Sequence, residues 1–172
     1  MTVYNAPLSV GPCFASGGVD VLLESERGLV RKIERSALVM YSDEQMYSLV
    51  NDIEAYPQFM AGCSGAEILQ RDDTMIEARL ELSKAGIQQN FVTRNTLDRP
   101  RSMQMCLVEG PFSHFEGVWQ FKALNATACK VTLTLEFEFT NKVLDLAAGK
   151  WFEGVANQQV ESLCERARTI YG

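Results

Sequence analysis

The sequence predicts an α+β domain in which a curved antiparallel sheet of about seven strands wraps around one long C-terminal helix, with two short helices after the first strand. Three observations carry that expectation. From Gly65 to Phe139 apolar and polar residues alternate with a period of 2, broken only where turn-forming residues stand. From Asn141 to about Ile170 there is no proline, and apolar residues recur at helical spacing. Ahead of the alternating region, Ser42-Asp43-Glu44-Gln45 has the capping-box pattern that marks a helix start.

Taken in chain order, residues 1–29 read as a loosely ordered extension, because Pro7, Gly11, Pro12, Gly17, Gly18 and Gly28 interrupt every apolar stretch. The folded unit is expected to span residues 30–172. A strand is predicted from Lys32 to Met40. The helix capped by Ser42 follows, with Met46, Leu49, Val50 and Ile53 on one face, and Pro57 limits a second short helix that ends by Gly62. Breaks at Asp72-Asp73, Ala85-Gly86, Asp98-Arg99-Pro100, Gly110-Pro111 and Leu124-Asn125 then divide the alternating region into six successive antiparallel strands.

The inner face of those strands is predicted to carry Ala78, Leu80 and Leu82; Ile87, Phe91 and Leu97; Met103, Met105 and Leu107; Phe115, Trp119 and Phe121; and Val131, Leu133, Leu135, Phe137 and Phe139. Phe112, His114, Glu116 and Val118 are assigned to the outer face. Thr93, Asn95 and Ser113 fall among the inner rows, where a polar group needs a partner. The C-terminal helix, capped by Asn141 and about 45 Å long, must cover this face. Val143, Leu144, Ala147, Ala148, Trp151 and Val155 form one apolar stripe, and Phe152, Ala156, Val160, Leu163, Ala167 and Ile170 form another about a quarter turn away. A bend is expected between Gly149 and Gly154. Two readings of the enclosed space stand: a filled core whose polar groups pair internally, or an apolar cavity that holds a hydrophobic molecule.

Composition narrows the function classes. The chain has 172 residues with 16 Lys and Arg against 22 Asp and Glu, a net charge of -6. That charge repels a phosphate backbone, so DNA is not an expected partner. Five cysteines without a CxxC pair suggest reduced thiols rather than a disulfide framework or a zinc ribbon, and one histidine, His114, leaves no second imidazole for a metal site and no freedom in building a hydrolytic triad. There is no transmembrane segment, and the N-terminus lacks the charged and apolar regions of a signal peptide. A cytoplasmic location without a metal is therefore the expectation.

Specific residues add a resemblance. Ser36-Ala37-Leu38-Val39, Tyr41-Ser42, Met46-Tyr47, Leu49-Val50-Asn51-Asp52, Tyr56-Pro57-Gln58-Phe59, Gly62-Cys63, Ser83-Lys84-Ala85-Gly86-Ile87, Phe91 with Thr93-Arg94-Asn95, Gly110-Pro111-Phe112, Trp119 with Phe121, and Phe137 through Lys142 follow one another as in the START-like, helix-grip superfamily. Within it, the chain from about Arg31 to Tyr171 resembles the branch of coenzyme Q-binding proteins and bacterial ribosome association toxins, most closely the toxins. Ala61 departs from the proline common there. Because members of that branch usually begin just before the first strand, the resemblance implies that translation starts near Leu29 or Val30, at a non-AUG codon.

The resemblance implies a non-enzymatic binder of a hydrophobic small molecule such as ubiquinone, with no other cofactor, and a toxin-type protein that binds the large ribosomal subunit and blocks its association with the small one. For a quinone, the candidate lining residues are Phe91, Leu107, Phe115, Trp119, Leu133, Leu135, Leu144, Ala148 and Phe152, with Thr93 and Asn95 as polar contacts. For ribosomal RNA, the candidate cations are Arg31, Lys32, Arg35, Lys84, Arg94, Arg99 and Arg101, which equally describe a solvated sheet edge. The competing enzyme reading is a polyketide cyclase or aromatase on the same fold. It would need an acid or base in the enclosed space, and no carboxylate falls on the predicted inner rows.

Overall fold

The computed structural model describes residues 30–84 and 86–172, so the expected extension at residues 1–29 lies outside the described residues. Strand β1 (Arg31–Val39) leads into helix α1 (Asp43–Asn51) and a 3-10 segment (Ile53–Gln58). Six strands follow: β2 (Cys63–Arg71), β3 (Met75–Lys84), β4 (Ile87–Asp98), β5 (Ser102–Glu109), β6 (Phe112–Asn125) and β7 (Ala128–Phe139). Helix α2 (Lys142–Tyr171) closes the chain. Each successive pair from β2 to β7 is antiparallel, and β1 joins the far edge beside β7, giving the order β1-β7-β6-β5-β4-β3-β2.

Local chemistry sets the helix starts. Ser42 Oγ accepts from the Gln45 amide, and Gln45 Oε1 accepts from the Ser42 amide, closing the capping box. Asn141 Oδ1 accepts from the Leu144 amide at 2.8 Å and starts α2. Helix α2 is continuous through Gly149 and Gly154. Its buried residues run from Ala148 through Phe152, Val155, Ala156, Val160, Leu163 and Cys164 to Ala167, a single stripe against the sheet. Val143, Ala147 and Ile170, assigned to apolar stripes from spacing, are exposed, because the ends of the helix reach past the apolar face.

One stretch of the sheet differs from the alternation. Phe112 pairs with Phe139 and His114 with Glu138, so Ser113 is an extra residue in β6. The bulge turns Phe112 inward, where it is buried, and puts Ser113 outside, its hydroxyl donating to the Phe139 carbonyl at 3.3 Å. The expected places of these two residues are thereby exchanged. Phe115, three residues after Phe112, still faces in, and both join the cluster of rings around Phe152.

Candidate functional site

The buried side chains form two apolar clusters. One gathers α1, the C-terminal half of α2 and the middle of the sheet around Met46, Val50, Cys129, Val131 and Leu163. The other gathers Phe91, Phe112, Phe115, Phe137, Phe139 and Phe152. Phe152 sits among the rings, with centroids 4.7 Å from Phe137 and 5.1 Å from Phe112. Where the clusters meet, a cavity of about 90 Å³ remains between the sheet and α2. Leu80, Leu82, Phe91, Thr93, Met105, Phe115, Trp119, Leu133 and Leu135 line it from the sheet, and Phe152, Val155, Ala156 and Gln159 from α2. Tyr56, Met60, Ala61 and Cys63 line it from the 3-10 segment, the turn after it and the start of β2.

Of the residues proposed from the sequence, Phe91, Thr93, Phe115, Trp119, Leu133, Leu135 and Phe152 are brought together around this space. Leu107 and Leu144 are partly buried against the phenylalanine cluster, and Ala148 is buried within it. Asn95 is buried one pleat beyond Thr93, outside the lining. The additional lining residues are Tyr56, Met60, Ala61, Cys63, Leu80, Leu82, Met105, Val155, Ala156 and Gln159. Leu80, Leu82 and Met105 were visible as inward positions of the alternation. Tyr56 to Cys63 line the cavity through tertiary approach, which no local period records.

That approach depends on α2. Gln159 Nε2 donates to the Ala61 carbonyl at 3.1 Å and to the Val155 carbonyl at 2.8 Å, tying the turn to the helix across the cavity's edge. Gly62, with φ +74°, lies so close to Val155 that an added Cβ would stand 2.8 Å from Val155 Cγ2. Arg166 donates to Gln58 Oε1 at 3.0 Å and stacks its guanidinium 5.2 Å from the centre of the Phe59 ring.

The polar side chains of the lining are Tyr56, Cys63, Thr93 and Gln159. Tyr56 donates to the Val50 carbonyl at 2.6 Å, and burial pushes its phenol well above the ordinary range. Burial also pushes the Cys63 thiol up, while its sulfur donates to the Gly65 carbonyl at 3.3 Å. Both groups are therefore neutral near pH 7 and poor proton acceptors. His114 is on the outer face, 4.0 Å from Glu136. The lining suits burial of an apolar group beside a few hydrogen-bonding atoms. Its volume equals that of about three liquid waters, so a larger guest must displace wall side chains. Met60 and Met105, unbranched and adaptable, are the walls best able to move.

A larger surface cleft, about 430 Å³, lies between α1, the β2–β3 turn and the end of β4, lined by Tyr47, Ser48, Asn51, Asp52, Arg71, Asp72, Asp73, Ile76, Leu97 and Arg99. Several of its polar groups are already engaged: Arg99 with Glu44, Arg71 with the Asn51 carbonyl, and Asp72 with Thr74 and Met75. The cations proposed for RNA contact are also largely neutralised. Arg31 pairs with Asp145, Lys32 with Glu136, Arg94 with Glu77 and Arg101 with Asp98. Arg35 donates to the Glu34 carbonyl, and the Lys84 side chain lies outside what is described.

Cys63, Cys129 and Cys164 are free thiols, as expected. Among the described residues there is no cluster of metal-ligating side chains, and no helix is long and apolar enough to cross a membrane.

Comparison with known proteins decides the family. The profile of the family described as "Polyketide cyclase / dehydrase and lipid transport" matches residues 39–164. The chain belongs to this family. Within it, the chain is 46% identical over 140 residues to the ribosome association toxin RatA of Escherichia coli, a match covering 81% of this chain and 89% of that one, which places it in the ribosome association toxin branch. A mitochondrial coenzyme Q-binding protein of Xenopus laevis is 26% identical over 141 residues, covering 80% of this chain and 58% of that one. A START superfamily protein from Mycobacterium smegmatis shares the fold, with a TM-score of 0.65 at 22% identity, covering 81% of this chain and 98% of that one. The START-like fold expected from the sequence is the one observed.

Proposed function

We propose that this member of the toxin branch is a non-enzymatic cytoplasmic carrier of a hydrophobic small molecule, with a ubiquinone-like lipid as its ligand. The observation that supports this reading best is the apolar cavity at the junction of the two clusters, walled by rings on one side and by adaptable methionines on another. Withdrawing an isoprenoid tail from water there is worth about 25 cal/mol per Å² buried, and Thr93 brings a hydroxyl to the lining that can meet a ring carbonyl, the Tyr56 and Gln159 donors being engaged with backbone carbonyls. Organic extraction of the purified chain followed by mass spectrometry tests it. A stoichiometric lipophilic species is the expected result, and repeated extracts without one would argue for a filled-core interaction protein.

A second activity on the same chain is favoured by the 46% identity to the ribosome association toxin: binding of the large ribosomal subunit so that it cannot join the small one. Overexpression should then lower the 70S peak in sucrose gradients and raise free subunits, whereas an unchanged 70S peak would count against it. A cyclase-type reaction is the competing reading from the family description, and a lining without a carboxylate or imidazole, its Tyr56 hydroxyl engaged with the Val50 carbonyl, disfavours it. Turnover of an aromatic polyketide by the purified chain would reverse that judgement.

A further inference from the structure

Buried polar atoms in folded proteins are almost always hydrogen-bonded, and each exception asks for an explanation. Asn95 is such an exception. Only 3% of its surface is exposed, and its Oδ1 is fully buried without a hydrogen-bond partner. Its position is informative. Asn95 pairs with Met105 on β5 and with Ile76 on β3, and Thr93, two residues earlier on the same face, lines the cavity, as does Met105. The carboxamide therefore lies one pleat beyond the cavity lining, on the side away from the phenylalanine cluster, with Met105 paired beside it.

Met105 is partly buried and packs against both apolar clusters. Its methyl rests over Gly117, the one position in that cross-strand row with no side chain, where an added Cβ would lie 2.5 Å from Met105 Cε. A flexible thioether over a bare backbone is easily displaced. A guest that displaced it would extend the cavity toward its cross-strand partner Asn95.

We propose that Asn95 binds the polar end of the cavity's ligand and accepts a hydrogen bond from it, so that the site selects a molecule with an O–H or N–H donor at that end: an alkyl hydroquinone or phenol over the corresponding quinone. This rests on the carrier reading above and adds the ligand's orientation and redox form. The apolar body points toward Phe91, Phe115 and Phe152, and the donor toward Asn95. A quinone carbonyl offers only lone pairs to Oδ1 and leaves it unpaired, whereas a hydroquinone hydroxyl satisfies it. Sites built to hydrogen-bond a hydroxyl discriminate strongly against analogues that lack it.

The test uses the full chain and a matched pair, a decyl-substituted benzoquinone and its hydroquinone, titrated anaerobically. The wild-type chain should bind the hydroquinone about tenfold more tightly, which raises the two-electron potential of the bound couple by about 30 mV above the free couple. Asn95→Leu, checked for folding by circular dichroism, should bring the ratio close to one by weakening the hydroquinone while sparing the quinone. Asn95→Ala serves if the leucine is not accommodated. Equal wild-type affinities, an unshifted potential, or a preference that survives in the folded variants would each overturn the role of Asn95 while leaving the carrier reading intact. Binding of neither molecule would instead sink the carrier reading, and this inference with it.

Discussion

The two halves of α2 cross the same sheet with different results. Val160, Leu163, Cys164 and Ala167 share a cluster with Met46, Val50, Cys129 and Val131, side chains that are nearly all withdrawn from solvent. Phe152, Val155, Ala156 and Gln159, nearer the N-terminus of the helix, border open space. Aliphatic chains of several shapes can interlock at crystal-like density, whereas stiff rings facing an alanine and a threonine cannot close the last gap. The first region holds the fold, and the second leaves room for function.

That contrast breaks most directly at Leu163, which is fully buried. Leu163→Ala should cost about 2–5 kcal/mol in urea unfolding without changing which ligand binds. A loss below about 1 kcal/mol would mean that this end is as loosely filled as the other. Cys129, in the same region, sharpens the comparison through pH. Burial pushes its thiol up to about 11, above the unfolded value of about 8.5. A raised folded pKa means that the neutral thiol's contribution is complete below the unfolded pKa and is lost as pH rises through the folded one. Stability should therefore hold to about pH 8 and then fall by up to ~1.4 kcal/mol per pH unit from this thiol. Urea midpoints at pH 7.5 and 10 should converge in Cys129→Ala relative to the parent chain, and an equal pH dependence in both would refute the assignment.

Smaller effects belong to the cavity end. Ala156→Leu should fill the space and shift stability by no more than about 1.5 kcal/mol, yet abolish ligand binding. Full binding in that variant would place the ligand elsewhere. Gln159→Leu removes the bond that ties the Ala61 turn to α2. It should cost only about 0.5–1.5 kcal/mol, but speed alkylation of the cavity-lining Cys63 by maleimide, read by mass spectrometry. An unchanged labelling rate would show that this bond does not restrain the turn.

How much of this was legible in the sequence follows the same division. The seven strands, the capping box at Ser42 and the long helix from Asn141 each have a local signature, so their order and most inward positions could be read directly. Six of the proposed lining residues surround the cavity because they lie on inner rows that the alternation marks, and Phe152 because it lies on the buried stripe of α2. Phe112 and Ser113 were exchanged because a bulge adds one residue without altering composition or the pattern on either side. Val143 and Ala147 looked inward because helical spacing fixes a stripe but not where the sheet beneath it ends. Tyr56, Met60, Ala61 and Gln159 were missed because only the docking of the turn on α2 brings them to the cavity.

The claim that the cavity accepts a lipophilic guest can be tested with the protein's own fluorescence. Trp119 lines the cavity, whereas Trp151, the other tryptophan of the chain, packs outside it. In Trp151→Phe, titration with the decyl-substituted benzoquinone should quench Trp119 saturably at one equivalent, and adding Ala156→Leu should remove that saturable phase. Quenching that rises linearly with quinone concentration in both chains would mean that the guest meets the protein only by collision, contradicting a site between the sheet and α2.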